Sequence, residues 1–113
     1  MAAKGSVLPL TLSTFAAGSL TTSFKAMNSS GITNSCILIR LVNDTNKDLT
    51  VSFDGVTSHD FVPAGTVLQL PFQSNLALSS GVAQLKKGTV VYIKSDASGT
   101  GNAYLSGYYQ DNS

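Results

Sequence analysis

Marks of Gly, Asn, Asp, Ser and Pro recur along this chain every eight to twelve residues or so, and the stretches between them are short and rich in Val, Ile, Leu, Thr, Phe and Tyr. That rhythm leaves no room for a long helix. The acidic residues point the same way, because all six are Asp, and Glu, which favours exposed helix faces, is absent. The predicted fold class is therefore all-β: an antiparallel β-sandwich, jelly-roll-like, of seven or eight short strands.

The expected strands can be placed from the pattern. Val7 to Leu12 and Leu20 to Met27 come first, with Leu20 and Phe24 facing inward by alternation. Asn28 to Ser35 reads as a loop. Cys36 to Val42 is the strongest strand, apolar enough for burial on both faces, with Arg40 as its anomaly. A buried guanidinium requires a partner, and Asp44 or Asp48 on the following turn is the nearest carboxylate in sequence. The turn Asn43 to Asp48 leads to Leu49–Phe53, which gives an expected hairpin with the preceding strand. Further strands are expected at His59–Val62, at Thr66–Phe72 with Pro71 marking an edge or bulge, and at Leu76–Leu85, Val90–Lys94 and Ala103–Tyr109.

At 113 residues the chain suits one domain, residues 1–113, with a core large enough to stand without disulfides or metal. Residues 1–19 have two readings: an extended arm that contacts a neighbouring subunit, or a strand completing the domain's own sheet. Val7 to Leu20 superficially resembles a signal peptide, but Pro9, Thr11, Ser13 and Thr14 interrupt its apolar core. No run approaches the length of a membrane span, so no membrane association is expected.

Charge excludes further classes. Seven Lys plus Arg stand against six Asp, for a net charge of +1, and no more than two basic residues, Lys86 and Lys87, are adjacent. Such scatter does not make a phosphate-tracking surface, so no nucleic-acid partner is expected. Low net charge removes repulsion between copies and permits close association. Ser and Thr together number 27, so hydroxyls take the place of charges on the surface.

No catalytic group emerges, and the expectation is that the protein is not an enzyme. Cys36 is the sole cysteine and sits in an apolar run, where a thiol behaves as a small hydrophobe rather than as a nucleophile with His59 as base. His59, with Asp60, Ser58 and Asp54 nearby, has the residue types of a hydrolytic constellation but lacks a nucleophile elbow. One His and no Glu leave a poor ligand set for metals, and Asn43 to Asp48 lacks the Gly and the final Glu of a calcium loop. The loop Gly99-Thr100-Gly101 lies between strands, where a dinucleotide site would need a following helix. No cofactor is expected. Recognition residues are more visible: Tyr104, Tyr108 and Tyr109 combine a broad apolar body with a polar tip, and with Arg40 they are the candidate protein contacts. Tyr104 and Tyr108 share strand parity, whereas Tyr109 faces the other way, so at least one is expected in the core.

Four stretches carry a resemblance: Ile37-Leu38-Ile39-Arg40-Leu41-Val42-Asn43-Asp44-Thr45, Val51-Ser52-Phe53-Asp54-Gly55, His59-Asp60-Phe61-Val62-Pro63-Ala64-Gly65, and Leu85-Lys86-Lys87-Gly88-Thr89-Val90-Val91-Tyr92-Ile93-Lys94. Together they resemble small β-sandwich virion structural proteins of tailed bacteriophages, over about two thirds of the chain. The resemblance implies a capsid cement or decoration subunit that stabilises the head. Its partners would be the major capsid protein and further copies of itself, as a trimer or similar homo-oligomer. It would lie on the virion surface after synthesis in the host cytoplasm. A neck or tail component is the alternative within the same group. Outside it, a carbohydrate-binding module would use Tyr104, Tyr108 or Tyr109 as stacking platforms.

Overall fold

A computed structural model describes residues 7–71 and 85–110. Nine strands are present among them: β1 (Val7–Pro9), β2 (Ser13–Ala16), β3 (Lys25–Ala26), β4 (Cys36–Thr45), β5 (Leu49–Ser52), β6 (Asp60–Val62), β7 (Val67–Pro71), β8 (Tyr92–Lys94) and β9 (Gly101–Gln110), with one 3-10 turn at Ala17–Ser19. They form two antiparallel sheets. One has the order β1-β9-β4-β7, with β2 also on β9, and the other has the order β3-β8-β5-β6.

The pairing has a simple origin. Taking β1 and β2 as two halves of one interrupted strand, the early segments pair with the late ones in nested order: β1 and β2 with β9, β3 with β8, β4 with β7, and β5 with β6. The chain is thus one long hairpin rolled up on itself. β9 then meets β4 along the roll, and β8 meets β5. This is the jelly-roll arrangement, in eight strands once β1 and β2 are counted together.

The apex of the rolled hairpin is the turn after β5. Ser52 Oγ donates to Asp54 Oδ1 at 2.8 Å and accepts the Gly55 N–H at 2.9 Å, while Asp54 Oδ1 accepts the N–H groups of Val56 and Thr57, each at 2.8 Å. Those backbone donors, led by Thr57, hold the Asp54 carboxyl well below the usual carboxylate range. Gly55 adopts φ +79° there, the left-handed conformation a side chain would oppose.

The core lies between the sheets. Ile39, Leu41, Ala103 and Leu105 from one side meet Leu49, Val51, Val62 and Ile93 from the other, with Leu20, Met27, Ile32 and Val91 closing the ends. Cys36 is fully buried and burial pushes its thiol up, as expected of a thiol packed as a hydrophobe. Gly107 lies opposite Ile39, and a Cβ there would come within 3.0 Å of Leu10 and 3.3 Å of the Cys36 sulfur, so the missing side chain makes room for both.

Four expectations need correction. β4 and β5 do not form a hairpin, because β4 belongs to the five-stranded sheet and β5 to the four-stranded one. Asn43, expected in the turn, is instead a ladder residue buried to 1% exposure. Its Nδ2 donates to the carbonyls of Lys47 at 2.8 Å and Val62 at 2.9 Å, and its Oδ1 accepts the Thr45 hydroxyl at 2.6 Å. These bonds turn the chain from one sheet to the other across Asn46–Asp48. Leu20–Met27 yields only the two-residue β3, since Thr21 and Ser23 bond to each other locally. Phe24 is half-buried under the Lys94 ammonium, 4.5 Å from its ring centroid, rather than facing wholly inward.

β7 stands at the end of its sheet's order and finishes at Pro71, which fits the edge expected from that proline. Val7–Ala16 lies on β9 of the same chain, so this part of residues 1–19 completes the domain's own sheet. The strand expected at Leu76–Leu85 falls on residues outside the described ones except for Leu85, which bridges to Cys36.

Candidate functional site

Cross-strand register places three of the four candidate contact residues, Arg40, Tyr104 and Tyr108, on the outer face of the five-stranded sheet. Residues directly opposite one another share a face, and three outward rungs follow. The first runs Thr14, Tyr104, Val42, Val67 across β2, β9, β4 and β7. The second runs Ser106, Arg40, Gln69. The third runs Pro9, Tyr108, Leu38, Pro71, with β1 in the place of β2. Arg40 therefore lies between two tyrosine rungs, diagonal to both rings at about 7 Å by strand geometry.

Tyr104, Tyr108, Leu38, Arg40 and Val42 are half-buried, and Val67 is 49% exposed. Along these five strands the sequence holds only two charges, Arg40 and Asp44. The face thus mixes aromatic and aliphatic side chains with the uncharged polar Thr14, Gln69 and Ser106, and has one cation near its middle. Neither expected carboxylate partner reaches that cation. Asp44 shares the face but lies four residues along the same strand, about 13 Å away. Asp48 Oδ1 is occupied by the Ala64 N–H at 2.9 Å. Among the described residues Lys47 pairs with Asp96, and His59 Nε2 stands near Asp54 Oδ2.

Tyr109 departs from its neighbours. It lies opposite Cys36 and packs against the core cluster, as strand parity required. Tyr109 thus faces away from Tyr104 and Tyr108, and the two described cavities are lined by other residues. The outward neighbours of these candidates that sequence reading missed are Leu38, Val42 and Val67. Leu38 and Val42 lay in plain view, since they flank Arg40 at intervals of two, and a charge in an apolar strand marks the outward parity. Ile39 and Leu41 are buried while Leu38 and Val42 are half-buried, so the strand is two-sided rather than buried on both faces.

Cys36 and His59 do not come together. Cys36 is buried in the five-stranded sheet, whereas His59 is exposed beside β6 of the other sheet, where its Nδ1 accepts the Phe53 N–H at 3.0 Å and its ring tilts against Phe53 at 5.6 Å. His59 Nε2 stands 4.0 Å from Asp54 Oδ2, an exposed contact at the apex turn. Ser58, too, is exposed on that turn. Among the described residues no three His, Cys, Asp or Glu side chains come together as a metal site, and no helix is long and apolar enough to cross a membrane. No protein family, curated protein or solved structure matches this chain.

Proposed function

We propose that this chain is a structural subunit of a tailed-bacteriophage virion, binding the capsid exterior as a cement or decoration subunit through the outer face of its five-stranded sheet. The observation that carries the contact surface is the pair of tyrosine rungs bracketing Arg40 on strands that are otherwise nearly free of charge. Tyr and Arg are the residue types concentrated at the centres of protein interfaces, where a rigid aromatic body or a planar guanidinium is desolvated against a partner. The assignment to a phage particle comes from the sequence resemblance, whose stretches fall on β4, the apex turn, β6 with its following turn, and the approach to β8. Jelly rolls serve as viral capsid and lectin domains alike, so the fold supports the reading only by analogy.

Each contact would be modest, and attachment at many equivalent shell positions would supply the effective concentration. The test is light scattering of the purified protein, then co-sedimentation with expanded, empty phage capsids. A trimer or similar closed oligomer that sediments with shells in near-stoichiometric ratio to capsid subunits supports the proposal. A monomer that ignores shells overturns it. A neck or tail subunit could use the same face and would be distinguished by low copy number per particle.

A further inference from the structure

We infer that the opposite side of the sandwich carries a second binding site, a polar groove for a neutral oligosaccharide. The site is independent of the capsid contact and lies on the outer face of the four-stranded sheet. Lys94 and Phe61 both stand opposite Thr50, so the three side chains form one row across β8, β5 and β6. The connection after β4 and the loop after β8 rise at one end of this row, bringing Lys47, Asp48 and Asp96 to its rim. The open groove has a volume of about 530 Å³, within the range of small-molecule sites.

The chemistry of the lining narrows the ligand. Phe61 is 54% exposed, a large aromatic ring held on a three-residue strand where it adds nothing to the core. A ring in that position offers a flat apolar surface to the C–H face of a pyranose. Around it are groups suited to hydroxyls. Lys47 and Asp96 pair at 3.2 Å, with the Asp96 side chain 83% exposed; so open a pair contributes little to stability and can exchange its bonds with a ligand. Asp48 uses one carboxylate oxygen on the Ala64 N–H and retains the other as an acceptor.

Two Lys and two Asp line the groove, so their charges cancel. An anionic ligand would meet both carboxylates, and a cationic one both ammonium groups. A ligand with an apolar face, a rim of hydroxyls and no charge suits all of these features together. Because this groove and the tyrosine face lie on the two outer sides of the sandwich, a subunit seated by one would present the other outward.

The test is an amide NMR titration of the full chain with neutral trisaccharides of glucose, galactose, mannose and N-acetylglucosamine. The expected result is binding of at least one, with a Kd of about 1 mM, and with shifts centred on Thr50, Phe61, Lys94 and Asp96. Phe61→Ala, at an exposed position, should keep the fold, verified by its amide spectrum, and weaken that binding about tenfold. The pair Tyr104→Ala and Tyr108→Ala should leave it unchanged. No shifts with any of the four sugars, shifts centred on Tyr104 and Tyr108 instead, or tighter binding of a sulfated or sialylated analogue would each overturn the inference.

Discussion

Replacing Asn43 by alanine should be the most costly single polar change in this fold. The side chain is buried and makes three short bonds: two donated to the carbonyls of Lys47 and Val62, and one accepted from the Thr45 hydroxyl. Each is worth about 1 kcal/mol net in water, so their sum is about 3 kcal/mol, and groups left without partners can add to it. For a chain of this length that corresponds to a fall in Tm of about 12 °C, taking about 4 °C per kcal/mol. Thermal and urea unfolding of the purified variant would measure it. Thr45→Val, which removes the hydroxyl that donates to Asn43 Oδ1 and accepts the Lys47 N–H, should cost about 2 kcal/mol.

Asn43→Asp separates this account from a mere change of volume. A carboxylate of nearly the same shape cannot donate, so at neutral pH it faces two carbonyl oxygens with lone pairs. Only the protonated acid restores one donor, which raises the folded-state pKa of residue 43 above its unfolded value. The stability this protonated form provides is present below the unfolded value of about 3.9 and is lost as pH rises through the raised folded pKa. Relative to wild type, Asn43→Asp should therefore be most destabilised at neutral pH and recover on acidification. An alanine variant within about 0.5 kcal/mol of wild type, the scatter of ordinary surface changes, would refute the reasoning. An aspartate variant with no pH-dependent difference from wild type would refute it too.

Gly31→Ala should cost about 2–4 kcal/mol, because Gly31 has φ +79° and its Cβ would collide with the Gly88 carbonyl; a urea midpoint unchanged from wild type would contradict the close approach of these two loops. Asp54 has a lowered pKa, so its contribution is present above the ordinary value of 3.8 and is lost as pH falls through the lower folded value. Asp54→Asn should accordingly flatten the acid side of the stability profile, measured by urea midpoints at successive pH values. Tyr104→Ala with Tyr108→Ala should abolish capsid association while shifting Tm by only a few degrees. Tyr109→Ala, which opens the core, should lower Tm more than that pair while keeping the contact surface; a reversed order would show that the faces are wrongly assigned.

The strands of this fold were legible wherever apolar and polar residues alternate between turn residues. The rung of Arg40 and the inward turn of Tyr109 both follow from the period of two. What sequence could not supply was the connection between sheets. Asn43-Asp44-Thr45-Asn46 reads as a hairpin turn because Asn and Asp favour turns when exposed. Here Asn43 is buried, and its amide satisfies carbonyls on two other segments, one of them Val62, 19 residues away in sequence. A bond of that kind depends on the nested pairing already being in place, so no local pattern announces it. Phe61 was obscured in the opposite way: it reads as an ordinary strand residue, and only the register against Thr50 and Lys94 turns it outward.

The rolled hairpin also explains how so weakly charged a chain can carry two different surfaces. Each sheet must bury one face against the other, which fixes the parity of every strand and leaves the alternate residues free of the demands of the core. On β4, β7 and β9 those alternate residues include two tyrosines, Arg40, Leu38, Val42 and Val67 among Gln69, Ser106, Asn102 and Asp44, and the aromatic and aliphatic ones are suited to exclusion of water against a partner. On β5, β6 and β8 they include Thr50, Phe61 and Lys94 beneath two polar loops, with Ser52 and Tyr92 in the next row, and the first row is suited to a ligand that keeps its hydroxyls bonded. A slip of one residue in β9 would exchange Tyr104 and Tyr108 with Ala103, Leu105 and Gly107, burying the tyrosines and exposing the core. Gly107 disfavours that slip, because a Cβ at that rung would come within 3.0 Å of Leu10 and 3.3 Å of the Cys36 sulfur, and both would have to give by a few tenths of an ångström. The glycine that eases closure of the core therefore also favours the register in which the tyrosine rungs face outward.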